Sequence, residues 1–178
     1  MTGRTVDALQ RLLAVAILAL TVTLGLAAPA LAHTRSESHS DWQINGTHIE
    51  ATIAVPDTTL KMLKPPEDWQ RVDQLARYLA GKVSVTAEGK ACANPGGARP
   101  LAATSQFQRV QFVFDCPSPK NFKLTFNGFF PIVPSHTDFA QIQANADPFV
   151  EQLFTADSQT IDLSASAQNP LRNASFFK

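Results

Sequence analysis

The chain has 178 residues, of which 44% are hydrophobic and 17% are charged, and its 15 basic side chains are balanced by 15 acidic ones. This length predicts a single globular domain. The formal net charge of zero argues against a nucleic-acid binder and against a polybasic membrane-surface protein, both of which carry a basic surface.

The first 32 residues are predicted to be a secretory signal peptide. A basic N-terminal stretch precedes an apolar run over residues 12–28, which is shorter than the ~20 residues of a membrane-spanning helix. Ala30-Leu31-Ala32 then supplies the A-x-A pattern of a cleavage site. An uncleaved N-terminal anchor is the alternative. Cleavage would make His33 the mature N-terminus, and the protein is expected in the periplasm or on the extracytoplasmic face of the membrane.

The two cysteines are predicted to form a disulfide. Cys92 and Cys116 are the only cysteines in the chain, and an even number in an exported protein favours pairing. Each is followed by turn-forming residues, Asn94-Pro95-Gly96-Gly97 and Pro117-Ser118-Pro119. Such a bridge should stabilise the fold by about 3 kcal/mol in the chain-entropy model. The alternative is a pair of metal-binding thiols, but their spacing matches no zinc motif.

A β-hairpin is predicted at the start of the mature chain. Two segments with alternating apolar residues, 38–44 and 47–55, flank Asn45-Gly46. This dipeptide is a strong hairpin signal, because both residues tolerate the positive φ of a type I′ turn.

One helix is predicted from about Glu67 to Ala80. Pro65-Pro66-Glu67-Asp68 has the proline and acidic residues typical of a helix start, and Gly81 follows the predicted end. Its apolar side chains recur at helical spacing and are expected to pack in the core; they are Trp69, Val72, Leu75, Ala76 and Leu79.

Further strands are predicted wherever the apolar period returns to two. They begin near Val83 and cover residues 107–115, 121–127, 139–143, 149–155 and 160–163. The fold class is therefore predicted as mainly β, an antiparallel sandwich-like domain of about seven strands with one crossover helix. This exported β-rich domain would span residues 33–163, with 164–178 as a linker.

Four segments of the chain form a recognisable set. They are His33-Thr-Arg-Ser-Glu-Ser-His-Ser-Asp-Trp42, Pro134-Ser-His-Thr-Asp-Phe139, Glu151-Gln-Leu-Phe-Thr155 and Asn169-Pro-Leu-Arg-Asn-Ala-Ser-Phe-Phe-Lys178. Together they resemble the exported N-terminal region of the HupE/UreJ family of hydrogenase and urease accessory proteins. The resemblance implies an extracytoplasmic β-rich region that precedes membrane helices held to carry nickel or a related metal. The chain is expected to end where the first of those helices would begin, so transport itself is not assigned to these residues.

The sequence contains no G-x-S-x-G, H-E-x-x-H or phosphate-binding glycine motif, and no catalytic residue is predicted. The candidate site is a metal site. His33 as the mature N-terminus would offer its α-amine and its imidazole as a chelate. His136 is the first candidate for a second imidazole, with His39 in reserve and Asp138 behind His136 as an orienting partner. Three nitrogen ligands favour Cu(II), with Ni(II) next.

The predicted function is a non-catalytic extracytoplasmic domain that binds a metal or a membrane partner, either a membrane protein or a membrane domain of the same family. One alternative is a copper-dependent oxidative enzyme that uses the N-terminal histidine. The other is a purely structural interaction module in which the histidines bind nothing.

Overall fold

A computed structural model describes residues 36–63, 72–104 and 106–164. The predicted signal peptide, His33 and the predicted linker beyond Ser164 lie outside these residues, and the predictions made for them remain predictions.

Ten strands in two sheets and two helices make up the described part of the chain. In chain order they are β1 (Glu37–Asn45), β2 (His48–Pro56), α1 (Asp57–Met62), α2 (Val72–Leu79), β3 (Val83–Ala87), β4 (Lys90–Ala91), β5 (Arg99–Thr104), β6 (Phe107–Asp115), β7 (Phe122–Phe126), β8 (Thr137–Ala144), β9 (Val150–Phe154) and β10 (Thr160–Asp162). The larger sheet has the order β5-β6-β2-β1-β8-β9, and the smaller has the order β10-β7-β3-β4. The predicted mainly β, sandwich-like class is confirmed.

The strand pairing differs from the prediction in two respects. β4 and β5 were not predicted, because their short segments carry no clear alternation of apolar residues. In addition, β1 and β8 pair in parallel within an otherwise antiparallel sheet. The register aligns residues 37–44 with residues 137–144, so β8 and β9 join the rest of the larger sheet through a contact between segments about a hundred residues apart.

The core lies between the inner faces of the two sheets. Period-two alternation buries one side of each strand, and β7 illustrates this with Phe122, Leu124 and Phe126 buried while Lys123 is exposed. The same alternation buries Trp42 of β1 completely. A fully buried large apolar side chain contributes about 1.5–3 kcal/mol, so these rows hold the two sheets together.

The β1–β2 hairpin forms as predicted, but its turn lies one residue later. Asn45 still pairs with His48, so the turn residues are Gly46 and Thr47. Only Gly46 has a left-handed φ, +61°. The extra pair forms because Ile44 and Ile49 lie opposite each other on the buried face, which extends the ladder to the end of both strands.

The predicted helix is present as α2, which is described from Val72 onward. Leu75, Ala76 and Leu79 are buried as expected, whereas the predicted start of the helix and Trp69 lie outside the described residues. The short helix α1 was not predicted, although Asp57 in its first turn suits the positive end of the helix dipole. Neither described helix has the length and apolar character needed to cross a membrane.

The predicted disulfide is confirmed. Cys92 and Cys116 are bonded with an S–S distance of 2.03 Å. The bridge joins the segment after β4 to the end of β6, next to an isolated antiparallel bridge between Ala93 and Asp115. It therefore connects the smaller sheet to the larger one, and metal-binding thiols are excluded for this pair.

Candidate functional site

The predicted metal ligands fall on opposite faces of the larger sheet. Alternation along β1 directs His39 to the outer face, which we define as the face turned away from the core. His136 precedes β8 and Asp138 lies on it, and both side chains are buried with exposed fractions of 1% and 0%. The structure therefore brings His136 and Asp138 into one region of the core and leaves His39 outside it, while His33 lies outside the described residues.

A continuous chain of buried hydrogen bonds links β1 to β8. Ser36 Oγ lies 2.8 Å from His136 Nδ1, and Ser38 Oγ lies 2.9 Å from His136 Nε2. Ser38 and Ser40 each donate to one carboxylate oxygen of Asp138, at 2.5 Å. We refer to these three serines with His136 and Asp138 as the β1–β8 network.

The indole of Trp42 extends the β1–β8 network by one further hydrogen bond. Its Nε1–H donates to Ser40 Oγ at 2.9 Å, and Ser40 in turn donates to the carboxylate. Trp42 is one of the largest fully buried side chains, so its single polar group is satisfied inside the core as buried donors generally are.

The charge state of Asp138 fixes the direction of every proton in the network. An ionised carboxylate only accepts, so both serines must donate to it. Ser38, having donated its proton to Asp138, then accepts from His136 Nε2–H. His136 Nδ1 consequently accepts from Ser36, which assigns the neutral Nε2–H tautomer to the imidazole.

Burial shifts the pKa of both titratable groups toward the neutral form. Desolvation raises the pKa of Asp138 from 3.8 to about 6, against hydrogen bonds from Ser38 and Ser40 and the charge of His39, which lower it. Desolvation also lowers the pKa of His136 from 6.5 to about 4. At pH 7 the network thus holds an ionised Asp138 and a neutral imidazole.

The network unites serine, histidine and aspartate, which the sequence did not place together. However, Ser38 separates the imidazole from the carboxylate, and the rings of Phe129 and Phe130 lie 4.8 and 5.7 Å from the imidazole, centroid to centroid. Ser36 is itself 6% exposed. All members of the network are buried, so it has no open side from which a substrate could reach any of the three serine hydroxyls.

The sequence analysis missed the three serines, although the sequence contains a signal for them. Ser36, Ser38 and Ser40 occur at every second position before Trp42, which places all four on one face of a strand. A row of serines on the face that also carries a buried tryptophan indicates buried polar groups that need partners.

The described residues contain no group of three histidine, cysteine or carboxylate side chains arranged to hold a metal ion. Both ring nitrogens of His136 are already occupied by serine hydroxyls, and Asp138 reaches the imidazole only through Ser38. His39 is accessible, with a side chain 48% exposed and Glu37 Oε1 4.0 Å from its Nε2. Of the predicted imidazoles in the described chain, His39 is therefore the one that can coordinate a metal without breaking the network.

A row of side chains crosses the outer face of the larger sheet from strand to strand. Its members are in direct register, and they are Leu153, Phe139, His39, Ala54 and Arg109. The ring of His39 stacks on that of Phe139 at a centroid distance of 5.5 Å. Phe139 is 42% and Leu153 is 49% exposed, so the row presents apolar area to solvent.

A groove of about 900 Å³ runs along this row. Its walls carry charges of both signs, from Asp41, Arg109 and Glu151, beside the apolar surface of Phe139 and Leu153. Exposed apolar side chains rimmed by polar and charged groups are typical of interaction sites.

No family model matches this chain, and no curated protein matches it.

Proposed function

We propose that the chain is an extracytoplasmic, non-catalytic binding domain of the HupE/UreJ type, which presents the outer face of its larger sheet to a membrane partner. The observation that carries this proposal is the exposed row through His39, Phe139 and Leu153, together with the groove beside it. The resemblance of the sequence segments to that family supports a membrane protein as the partner.

The distribution of polar groups over the two faces of the sheet favours binding over catalysis. The one cluster in which serine, histidine and aspartate side chains are hydrogen-bonded together is enclosed in the β1–β8 network, whereas the accessible face carries an aromatic platform flanked by single charges. Aromatic and arginine side chains carry a large share of the energy of protein interfaces. Phe139 and Arg109 are the residues of these types on the groove.

Site-specific photocrosslinking in cells that naturally make the protein tests the proposal. A photoreactive side chain at Gln141, an exposed position beside the row on the outer face, should form an adduct with a membrane protein identified by mass spectrometry. The same side chain at Lys90, an exposed position on the smaller sheet, is the matched control.

A membrane-protein adduct that forms from position 141 and disappears with Phe139→Asp would support the proposed surface. Adducts of equal yield from both positions would contradict it. Export is checked separately by sequencing the N-terminus of the mature protein, which should begin at His33.

Metal binding belongs to the same proposal, with His39 in place of His136 as the second imidazole. His39 is exposed on the outer face, whereas coordination by His136 would have to displace a serine hydroxyl from a buried ring nitrogen. Cu(II) is the preferred ion and Ni(II) the next, since the ligands would be an amine and two imidazoles.

A further inference from the structure

A second cavity lies between the two sheets at one end of the sandwich, and we call it the end cavity. It has a volume of about 620 Å³ and opens where β1 and β8 end and where β7 begins. Its walls include three buried core side chains, Ile44 and Ile142 of the larger sheet and Phe122 of the smaller one. The end cavity shares no lining residue with the groove on the outer face. Cavities of this size with apolar walls and a few polar groups are typical of small-molecule sites.

Hydrogen bonds hold the rim of the end cavity in place on the larger sheet. The N–H of Asn145 donates to the carbonyl oxygen of Ile44 at 2.7 Å. The N–H of Asp147 donates to the carbonyl oxygen of Ala144 at 3.0 Å, and the side-chain amide of Gln143 donates to the carbonyl oxygen of Asp147 at 2.9 Å. This side of the rim is therefore formed before any ligand arrives, which lowers the ordering cost of binding.

The rim carries one charge of each sign, on opposite sheets. Lys120 lies just before β7 of the smaller sheet, and Asp147 lies in the loop between β8 and β9 of the larger sheet. Both residues are exposed, and within the described part of the chain neither charged group has a hydrogen-bond or ion-pair partner. Because packed sheets lie ~10 Å apart, the two charges are placed to bind opposite ends of one short molecule.

We propose that the end cavity binds a short zwitterionic peptide with apolar side chains. The α-carboxylate of the peptide pairs with Lys120 and its α-ammonium pairs with Asp147, while its side chains pack on the apolar walls. An extended chain spans about 3.3–3.6 Å per residue, so about two or three residues reach from one sheet to the other. Both termini are charged at pH 7, since their pKa values are about 3.3–3.7 and about 7.7–8.0.

A free amino acid meets these requirements less well than a peptide. It carries both charges on a single carbon atom, so it cannot reach the rims of both sheets at once. Its one side chain also fills only part of a cavity of about 620 Å³. The separation of the two charges and the size of the end cavity therefore both favour a peptide.

Calorimetric titration of the exported form, residues 33–178, with the dipeptide Leu-Leu at pH 7 tests the proposal. Leu-Leu should bind saturably. N-acetyl-Leu-Leu lacks the ammonium group and Leu-Leu amide lacks the carboxylate, so each should bind about tenfold or more weakly. Gly-Gly keeps both charges without apolar side chains, and free leucine keeps one side chain with adjacent charges. Both should bind more weakly than Leu-Leu.

Two charge-removing variants locate the binding site. Lys120→Gln and Asp147→Asn should each raise the dissociation constant for Leu-Leu by about tenfold or more. Lys120→Gln should also abolish the difference between Leu-Leu and its amide, and Asp147→Asn the difference between Leu-Leu and its N-acetyl form. The matched controls are Lys90→Gln on β4 and Asp41→Asn on the outer face, which should bind Leu-Leu like wild type. Since all four side chains are exposed, thermal unfolding should stay close to that of wild type.

The absence of saturable heat with Leu-Leu would overturn the proposal. Binding of Leu-Leu that is unchanged in both Lys120→Gln and Asp147→Asn would also overturn it, because the peptide would then lie elsewhere. Free leucine that binds as tightly as Leu-Leu would overturn the assignment of a peptide as the ligand.

Discussion

The β1–β8 network makes a specific prediction about stability and pH, because burial opposes the charged forms of Asp138 and His136. For Asp138 the folded pKa of about 6 exceeds its ordinary value of 3.8. At pH 7 the folded state therefore carries a buried charge that costs about 3 kcal/mol, at about 1.4 kcal/mol per pKa unit. Stability from this group should rise as the pH falls from about 6 to 3.8, because the folded state takes up its proton first.

His136 contributes a pH dependence of stability with the opposite sign. Its folded pKa of about 4 lies below the ordinary value of 6.5, so the unfolded state takes up its proton first. Stability from this group is lost as the pH falls from 6.5 to about 4, again by about 3 kcal/mol. The two contributions nearly cancel in the wild-type protein.

Replacing either group should expose the other contribution. Asp138→Asn retains His136, so its unfolding free energy should fall by about 3 kcal/mol more than that of wild type between pH 7 and pH 4. His136→Asn retains Asp138, so its unfolding free energy should rise by about 3 kcal/mol relative to wild type over the same range. Urea unfolding followed by circular dichroism at several pH values measures both. Asp41→Asn, on the outer face of β1, is the control and should keep the wild-type profile.

The diverging pH profiles test the reasoning independently of how much each substitution destabilises the protein at pH 7. A profile parallel to that of wild type for both variants would refute it, because neither group would then have a shifted pKa in the folded state. Equal slopes of the same sign for the two variants would likewise contradict the assignment of a buried carboxylate and a buried neutral imidazole.

Three other predictions follow from the fold and the proposed metal site. Cys92→Ser should lower the unfolding free energy by about 2–5 kcal/mol in urea titrations. If the unfolding free energy fell by no more than it does for an average surface substitution, the disulfide would not stabilise the fold. Leu79→Ala should cost about 2–5 kcal/mol because the side chain is fully buried, whereas Arg77→Ala on the exposed side of α2 should cost under about 1 kcal/mol; equal losses would contradict the packing of α2. In calorimetric titrations, the mature protein should bind Cu(II) more tightly than a form with a Met before His33, since the extension converts the coordinating amine to an amide. Cu(II) binding should also weaken as the pH falls, because the amine and the imidazoles must be deprotonated to coordinate. His39→Gln should weaken binding further, and equal affinity of the two N-terminal forms would discard the site.

The local elements of this protein could be predicted because their causes lie within a few residues of each other. Alternation of Phe122, Leu124 and Phe126 predicts a half-buried strand wherever that strand is placed, and the 3.6-residue spacing of Leu75, Ala76 and Leu79 predicts a helix with one buried face. The disulfide was also predictable, since the chain has two cysteines and its N-terminal residues predict export.

The site was less predictable, because its geometry depends on pairings that no local pattern encodes. His136 and Asp138 are close in sequence, and their spacing suggested that one orients the other. The parallel register of β1 against β8 instead inserts Ser38 between them and supplies Ser36 and Ser40 as well. The same register buries the side chain of His136 and leaves that of His39 exposed.

Short-range periodicity and composition were enough to predict the mainly β class, the approximate positions of eight strands and one helix, the hairpin and the cysteine pairing. The position of β1 beside β8, the burial of His136 and the exposure of His39 are visible in the tertiary structure alone. The physical reason is that alternation divides a strand into two faces but does not say which strands are neighbours. The burial, the pKa and the solvent accessibility of a side chain depend on which strands lie beside it.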